Sequence, residues 1–224
     1  MKEALRSMTE DMMAMIRRKD FAPFNLALSG GETAKHMFSL WVDEYKDKID
    51  WNNIRFFWVD ERCVPPTSPD SNYGHANHLL FKPLRIPADH IHRIKGENEP
   101  GTEAMRYSWV VKEFLPLFNQ MPTFDCIILG VGEDSHTASI PTTMELLSDS
   151  RNYAVSQQPS TGQYRITMTG PLILNGAPLL VPILGTNKEP VIQRLSKGYS
   201  PSNDTPAAYI LSHAVQATIY GLNP

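Results

Sequence analysis

The sequence predicts a three-layer α/β fold, with a mainly parallel central sheet and helices on both faces. Short apolar runs of strand length recur along the chain, and segments with apolar residues at helical spacing separate them. Such short apolar runs suit strands covered on both faces. At 224 residues the simplest organisation is one domain over 1–224, large enough for a three-layer core. No internal repeat, low-complexity segment or linker divides it.

In chain order, Leu5, Met8, Met12, Met15 and Ile16 place an amphipathic helix over the first twenty residues. "FNLALS" is a short buried strand ended by Gly30 and Gly31. Met37, Phe38, Leu40, Trp41 and Tyr45 then suit a helix packed on that strand. "IRFFWV" is a second strand, followed by a long polar, proline-rich loop over 60–72. Helical patterns cover 73–81 and 102–118. "FDCIILG" is the third central strand, "YRITMT" and "LLVPILG" are two more, 188–197 is helical, and "QATIYG" is a last strand.

Composition excludes several classes. Lysine and arginine number 21 against 24 acids, a formal net charge of −3, with no basic block to grip nucleic acid. No apolar run is long enough to span a membrane, and the charged N-terminus is neither signal peptide nor anchor. Cys63 and Cys126 have no C-x-x-C spacing and form no disulfide framework, which fits a reducing, cytoplasmic setting. A monomer or homodimer is expected.

In parallel sheets of this kind, ligands bind outside the carboxyl ends of the strands. That ranks three loops. "LSGGETAKH" (28–36) has the features of an anion site: Gly30 and Gly31 let backbone approach a ligand, the next helix opens with partially positive amides, and Ser29 and Thr33 add hydroxyls. The alternative is an ordinary turn with Thr33 capping the helix. It is neither a Walker loop nor a dinucleotide fingerprint. "WVDERCVPPTSPDSNYG" sets Asp60, Glu61 and Arg62 directly after a strand. Arginine suits phosphate or carboxylate because its planar donors take two oxygens at once; a surface salt-bridge cluster is the alternative.

The third loop, in "CIILGVGEDSHTASI" (126–140), ends a buried strand with Glu133, Asp134 and His136 beyond Gly130 and Gly132. Histidine is the side chain most readily poised for proton transfer near neutral pH. The other histidines, His36, His75, His78, His90, His92 and His213, are read as structural. His90 and His92 share a strand face, but no third ligand of metal spacing stands near, so no metal is expected.

The segments "ALSGGETAK", "FFWVDERCVPPTSPDSNYG", "IHRIKGE", "FDCIILGVGEDSHTAS" and "RITMT" together resemble the 6-phosphogluconolactonases of the glucosamine-6-phosphate isomerase/6-phosphogluconolactonase superfamily. The resemblance runs from about Asn25 to the last helix. It implies a sheet architecture shared with glucosamine-6-phosphate deaminases and ribose-5-phosphate isomerases. It also implies hydrolysis of 6-phosphogluconolactone to 6-phosphogluconate, in the oxidative pentose phosphate pathway, without metal or cofactor.

Carried over by position, His136 is the catalytic histidine and Asp134 the aspartate beside it. Asp60 and Arg62 match the D-E-R element lining the site. Gly31, Glu32 and Thr33, with Ser29 and Gly30 before them, occupy the phosphate-binding turn, and Arg165 and Lys188 match the family's phosphate-contacting cations. In that chemistry His136 takes the water proton and returns it to the leaving ring oxygen, while backbone amides or Arg62 stabilise the oxyanion.

Three features depart from the family pattern. Ser135 stands where glycine is usual, and "TASIPT" runs one residue short before Pro141. The chain also starts almost inside its first helix, without the short strand that precedes it in the family, which implies a missing sheet edge or a truncated start. Two rival readings follow: a deaminase, whose motif continues to a glutamate after the histidine, here only Glu145; and a sugar-phosphate-binding module that has lost turnover.

Overall fold

The computed structural model describes residues 1–19, 22–141, 143–185, 188–196 and 205–221. Five parallel strands form the central sheet: β1 (Phe24–Leu28), β2 (Ile54–Trp58), β6 (Cys126–Ile128), β9 (Leu179–Pro182) and β10 (Ala217–Tyr220), in the spatial order β10-β9-β6-β1-β2. Numbered along the sequence this is the 2-1-3-4-5 arrangement of a doubly wound sheet. The winding reverses between β1 and β6, and the crevice at their carboxyl ends is where such folds bind ligands.

Successive side chains of a strand point to opposite faces, and β2 shows why it reads as continuously apolar. Phe56 and Trp58 meet Phe81 at ring-centroid distances of 5.0 and 5.8 Å on one face. Phe57 meets His92 and Phe124 at 4.7 and 5.5 Å on the other. Helix α1 (Lys2–Arg18) packs its Leu5, Met8 and Met12 against β9, β10 and α2 (Glu32–Glu44). One polar group interrupts that interface. The Trp41 indole donates to the Thr9 hydroxyl (2.9 Å), which donates to the Leu5 carbonyl (2.7 Å), so neither is buried unpaired.

A second sheet was not anticipated. β3 (Asp60–Arg62), β7 (Tyr153–Gln157) and β8 (Tyr164–Met168) form an antiparallel sheet in the order β3-β8-β7, with α5 (Pro100–Phe114) packed on β7 and β8. "YRITMT" is therefore the centre of this small sheet rather than part of the parallel one. The D-E-R triplet, read as loop, is its edge. β7 has no counterpart in the sequence reading, and β3, at three polar residues, carries no periodicity of its own; pairing with β8 makes it a strand.

Two further boundaries differ for local reasons. The helix expected over 102–118 stops at Phe114 because Pro116 forces Leu115 out of the helical region, to φ −100°, ψ 146°. A tight hairpin of β4 (Leu117–Phe118) and β5 (Met121–Pro122) follows, with Asn119 and Gln120 at φ 50° and 64°, the twist a two-residue hairpin requires. The helix expected over 73–81 is α3 (Asn72–Ala76) continuing through a π turn (Asn77–Phe81) into α4 (Lys82–Leu84). Short helices α6 (Gly170–Ile173), α7 (Glu189–Ser196) and α8 (Pro206–His213) complete the described elements; Lys197, placed in the helix over 188–197, lies outside the described residues. No helix of the described residues is long and apolar enough to cross a membrane.

His92 is the one histidine the core strongly perturbs. Its ring lies 4.7 Å from Phe57 and 4.0 Å from Phe114, with Nε2 buried and unpartnered among the described residues. Burial first, then Arg55 and His90, lower its pKa from 6.5 to about 4. Because the folded value is depressed, the unfolded chain binds more protons between those values. Stability from the neutral ring is complete above pH 6.5 and lost as pH falls towards 4. Denaturation curves of wild type and His92→Phe should therefore diverge across that window and run parallel above it. Curves that stay parallel down to pH 4 would show that His92 titrates normally.

Candidate active site

The crevice predicted by the topology is a cleft of about 400 Å³. Ser29, Gly30, Gly31, Glu32 and Thr33 line it from the end of β1, Asp60 and Arg62 from β3, His136 from the loop after β6, Arg165 from β8, and Lys188 from the approach to α7. The residues carried over by position from the family resemblance are thus all on this wall except Asp134, which stands directly behind His136.

The β1 turn is stitched to the β6 turn by the Gly130 amide, which donates to Ser29 Oγ at 3.1 Å. Gly31 is the N-cap of α2 at φ 91°, ψ −178°, a region essentially reserved for glycine. No side chain caps this helix, so Thr33 is not a cap, and the first intrahelical bond is Lys35 N–H to Gly31 C=O. The leading amides therefore face the cleft with their partial positive charge. The Glu32 carboxylate is turned to Lys35 (2.6 Å), leaving only its backbone for an anion. Gly30 must also be glycine, since a Cβ there would lie 1.8 Å from Asn72 Oδ1.

The cations are under-partnered. Arg62 and Arg165 lie directly opposite each other in the β3–β8 ladder, a like-charge pairing that is unfavourable without a counter-ion. Both Nε atoms are buried and without a partner among the described residues. Arg62 gives one N–H to the Asp70 carbonyl (2.8 Å), and Arg165 gives one to Ser139 Oγ (3.3 Å). Burial, then the neighbouring Arg62, push the Arg165 pKa down, with Asp60 opposing. Lys188 donates to the Val131 carbonyl (2.6 Å), and burial lowers its pKa against the pull of Glu133 and Asp134.

In the β6 loop, Asp134 Oδ1 accepts from both the His136 amide (3.1 Å) and the ring at Nδ1 (2.5 Å). Burial works against the Asp134 charge, but these contacts prevail and hold its pKa below the usual carboxylate value. An ionised carboxylate only accepts, so Nδ1 carries a proton, and in the neutral ring Nε2 is the nitrogen with the lone pair. Gly132 makes room for this arrangement: a Cβ would lie 2.3 Å from His136 Cε1 and Nδ1. The loop is closed by Gly132 N–H to His136 C=O (2.8 Å) and by Thr137 Oγ1 to Gly130 C=O (2.8 Å).

Asp60 is buried, and its carboxylate accepts from Ser139 Oγ (2.6 Å) and more distantly from Asn72 Nδ2 (3.4 Å). Glu61 points away from the cleft. It accepts from the amides of Arg62, Asn72 and Tyr73 and from the Ser71 hydroxyl, while burial raises its pKa against them. Sequence reasoning missed Asn72 and Ser139, and it read His36 as structural although it lines the cleft. Ser139 had a signal, three positions beyond His136 in the same loop; Asn72 had none.

Ser135, placed where the family has glycine, is fully buried at φ 66°. That left-handed conformation costs a side-chain-bearing residue roughly 1–2 kcal/mol. Ser135→Gly should raise the midpoint of chemical denaturation by the equivalent of about 1 kcal/mol and leave anion affinity unchanged. A less stable mutant would show that the serine side chain contributes more than its backbone strain costs.

Fold and cleft together define a doubly wound α/β protein whose cleft at the switch point sets arginine, lysine and helix-opening amides facing a histidine–aspartate pair. The profile of the glucosamine-6-phosphate isomerase/6-phosphogluconolactonase family matches residues 1–220, and the chain belongs to that family. It is 42% identical over 168 residues to the 6-phosphogluconolactonase of Treponema pallidum, spanning 75% of this chain and 70% of that protein. The solved 6-phosphogluconolactonase of Trypanosoma cruzi superposes with a TM-score of 0.84 at 25% identity, over 98% of this chain and 90% of that one. A monomeric glucosamine-6-phosphate deaminase shares the fold, at a TM-score of 0.79 and 18% identity, with 98% and 92% covered.

Proposed function

We propose that this chain hydrolyses 6-phospho-D-glucono-1,5-lactone to 6-phospho-D-gluconate. The observation that carries the reading is the division of one cleft into a cluster of cations and helix-opening amides on one side and, on the other, a histidine whose Nε2 has no hydrogen-bond partner among the described residues. Arg165, Lys188 and the leading amides of α2 hold the phosphate. That anchoring orients the ester, converting remote binding into correct placement of the carbonyl. A water then attacks the lactone carbonyl as its proton passes to His136 Nε2, and Asp134 steadies the imidazolium at Nδ1. When the tetrahedral intermediate collapses, the carbon–ring oxygen bond breaks and His136 returns the proton to that oxygen. The Gly130 and Gly132 amides are already committed to Ser29 and His136, so Arg62 is the donor assigned to the developing oxyanion.

The deaminase reading loses its support at Glu145. That residue is exposed on a short 3₁₀ turn (Glu145–Leu147) and does not line the cleft. The same chain as a single domain over 1–224, acting in solution as a monomer or homodimer, remains part of the proposal.

Lactone hydrolysis above the spontaneous background, with His136→Ala beside wild type, is the direct test. The mutant should lose on the order of 10²–10⁴-fold in turnover and still bind 6-phosphogluconate. Full activity in it would end the mechanism, and wild-type binding without turnover would replace the enzyme by a binding module. Arg165→Ala should weaken 6-phosphogluconate binding by roughly 2–5 kcal/mol, measured by titration calorimetry. Unchanged affinity would remove Arg165 from the grip. Gly132→Ala should lower kcat about a hundredfold through displacement of His136, with affinity retained; an unaltered kcat would mean the ring tolerates the extra methyl.

A further inference from the structure

Ser139 makes polar contacts to every strand of the antiparallel sheet while belonging to the loop that carries His136. Its hydroxyl donates to Asp60 Oδ2 on β3 at 2.6 Å. Ser139 Oγ has one proton to give and lone pairs to spare, so it also accepts from Arg165 Nη1 on β8 at 3.3 Å. Its amide donates to Thr167 Oγ1 on β8 at 3.0 Å, and its carbonyl accepts from Ser156 Oγ on β7 at 2.5 Å. Ser139, Asp60, Thr167 and Ser156 are all more than nine-tenths buried. Within the loop, Ile140 N–H bonds to Thr137 C=O, and Thr137 is tied to Gly130, so the fixed point at Ser139 is rigidly connected to the turn that holds His136.

We infer that Ser139 is a positioning residue that couples the anion grip to the catalytic histidine, through the chain Asp60–Ser139–Arg165. This rests on the reading of Arg165 as a phosphate ligand. Among the described residues the Arg165 side chain makes one long hydrogen bond, and its charge is opposed by Arg62 across the ladder. An arriving dianion neutralises that repulsion and fixes the guanidinium. The fixed Nη1 then draws on Ser139 Oγ, whose proton is already held by Asp60, and the loop from Thr137 to Ser139 is held in the position that aims Nε2. A lactone without its phosphate leaves Arg165 loose, and His136 is less well aimed. Phosphate binding therefore raises kcat and does not merely lower KM.

Inorganic phosphate serves as the probe, with the His136 ring followed by NMR. In wild type, phosphate should shift and sharpen the His136 ring signals. In Ser139→Ala, at phosphate concentrations that saturate the site, that response should be lost, and kcat for the lactone should fall about ten- to a hundredfold with a smaller change in KM. Ser139→Thr, which keeps the hydroxyl, should recover most of both. A wild-type His136 signal indifferent to saturating phosphate would overturn the coupling, whatever the stability of the mutants. So would a Ser139→Ala protein that keeps full kcat, or one whose His136 responds as wild type does. The NMR readout needs no turnover, so absence of lactonase activity with an intact phosphate response would sink the proposed reaction and leave the coupling standing.

Discussion

The architecture turns on the step the chain takes at the end of β2, where one residue serves two sheets. β2 is an edge strand, and an edge leaves backbone donors and acceptors without partners. At Trp58 these are met by two phenols: Tyr107 on α5 accepts from the Trp58 amide (2.9 Å), and Tyr153 on β7 donates to its carbonyl (2.7 Å). The two rings pack edge to face at 4.7 Å. Val59 then donates to Leu28 of the parallel sheet (2.9 Å) and accepts from Met168 of the antiparallel one (2.8 Å). An unpaired buried peptide group costs a few kcal/mol, so this seam has little freedom to shift.

The two arginines of the cleft are placed by that seam. With Val59 held, Asp60, Glu61 and Arg62 enter a ladder with β8, and alternation sends Asp60 and Arg62 towards the cleft while Glu61 turns the other way. Glu61 then organises the start of α3 with its two oxygens, and Asp60 supplies the nearest negative charge to Arg165. Two neighbouring acids in one tripeptide thus have unrelated tasks, separated by the pleat. Facing arginines are tolerable where an anion can bind beside them and costly where none does.

The histidine side depends on backbone exceptions rather than on pairing. Gly132 clears space for the His136 ring, while Ser135 and Ala138 take φ of 66° and 52° so that the chain can fold back within a few residues. Strain of this kind persists where surrounding contacts over-determine it. Here they do: the Ser135 carbonyl accepts from the Ala207 amide of α8, and Ser139 is held by the second sheet.

By itself the sequence determined the parallel sheet, its helices and the loops that meet at its carboxyl edge. Short apolar runs such as "FNLAL" and "FDCIIL" suit buried strands, and glycines mark their ends. It also named part of the cleft, because Ser29 to Thr33 and His136 sit in motifs at those strand ends, while Arg165, Lys188 and the departure from glycine at Ser135 were legible only through the family resemblance. Only the tertiary structure decided the second sheet and what it does to charge. Asp60, Glu61 and Arg62 have no strand-forming pattern, "YRITM" has no marker of direction, and the meeting of Arg62 with Arg165 spans about a hundred residues of sequence. The same holds for Asn72, which opens α3, and for Ser139, ordinary polar residues whose importance arises from burial against partners outside their own segments. Local pattern records what one segment buries; it does not record which distant charge that burial leaves facing another.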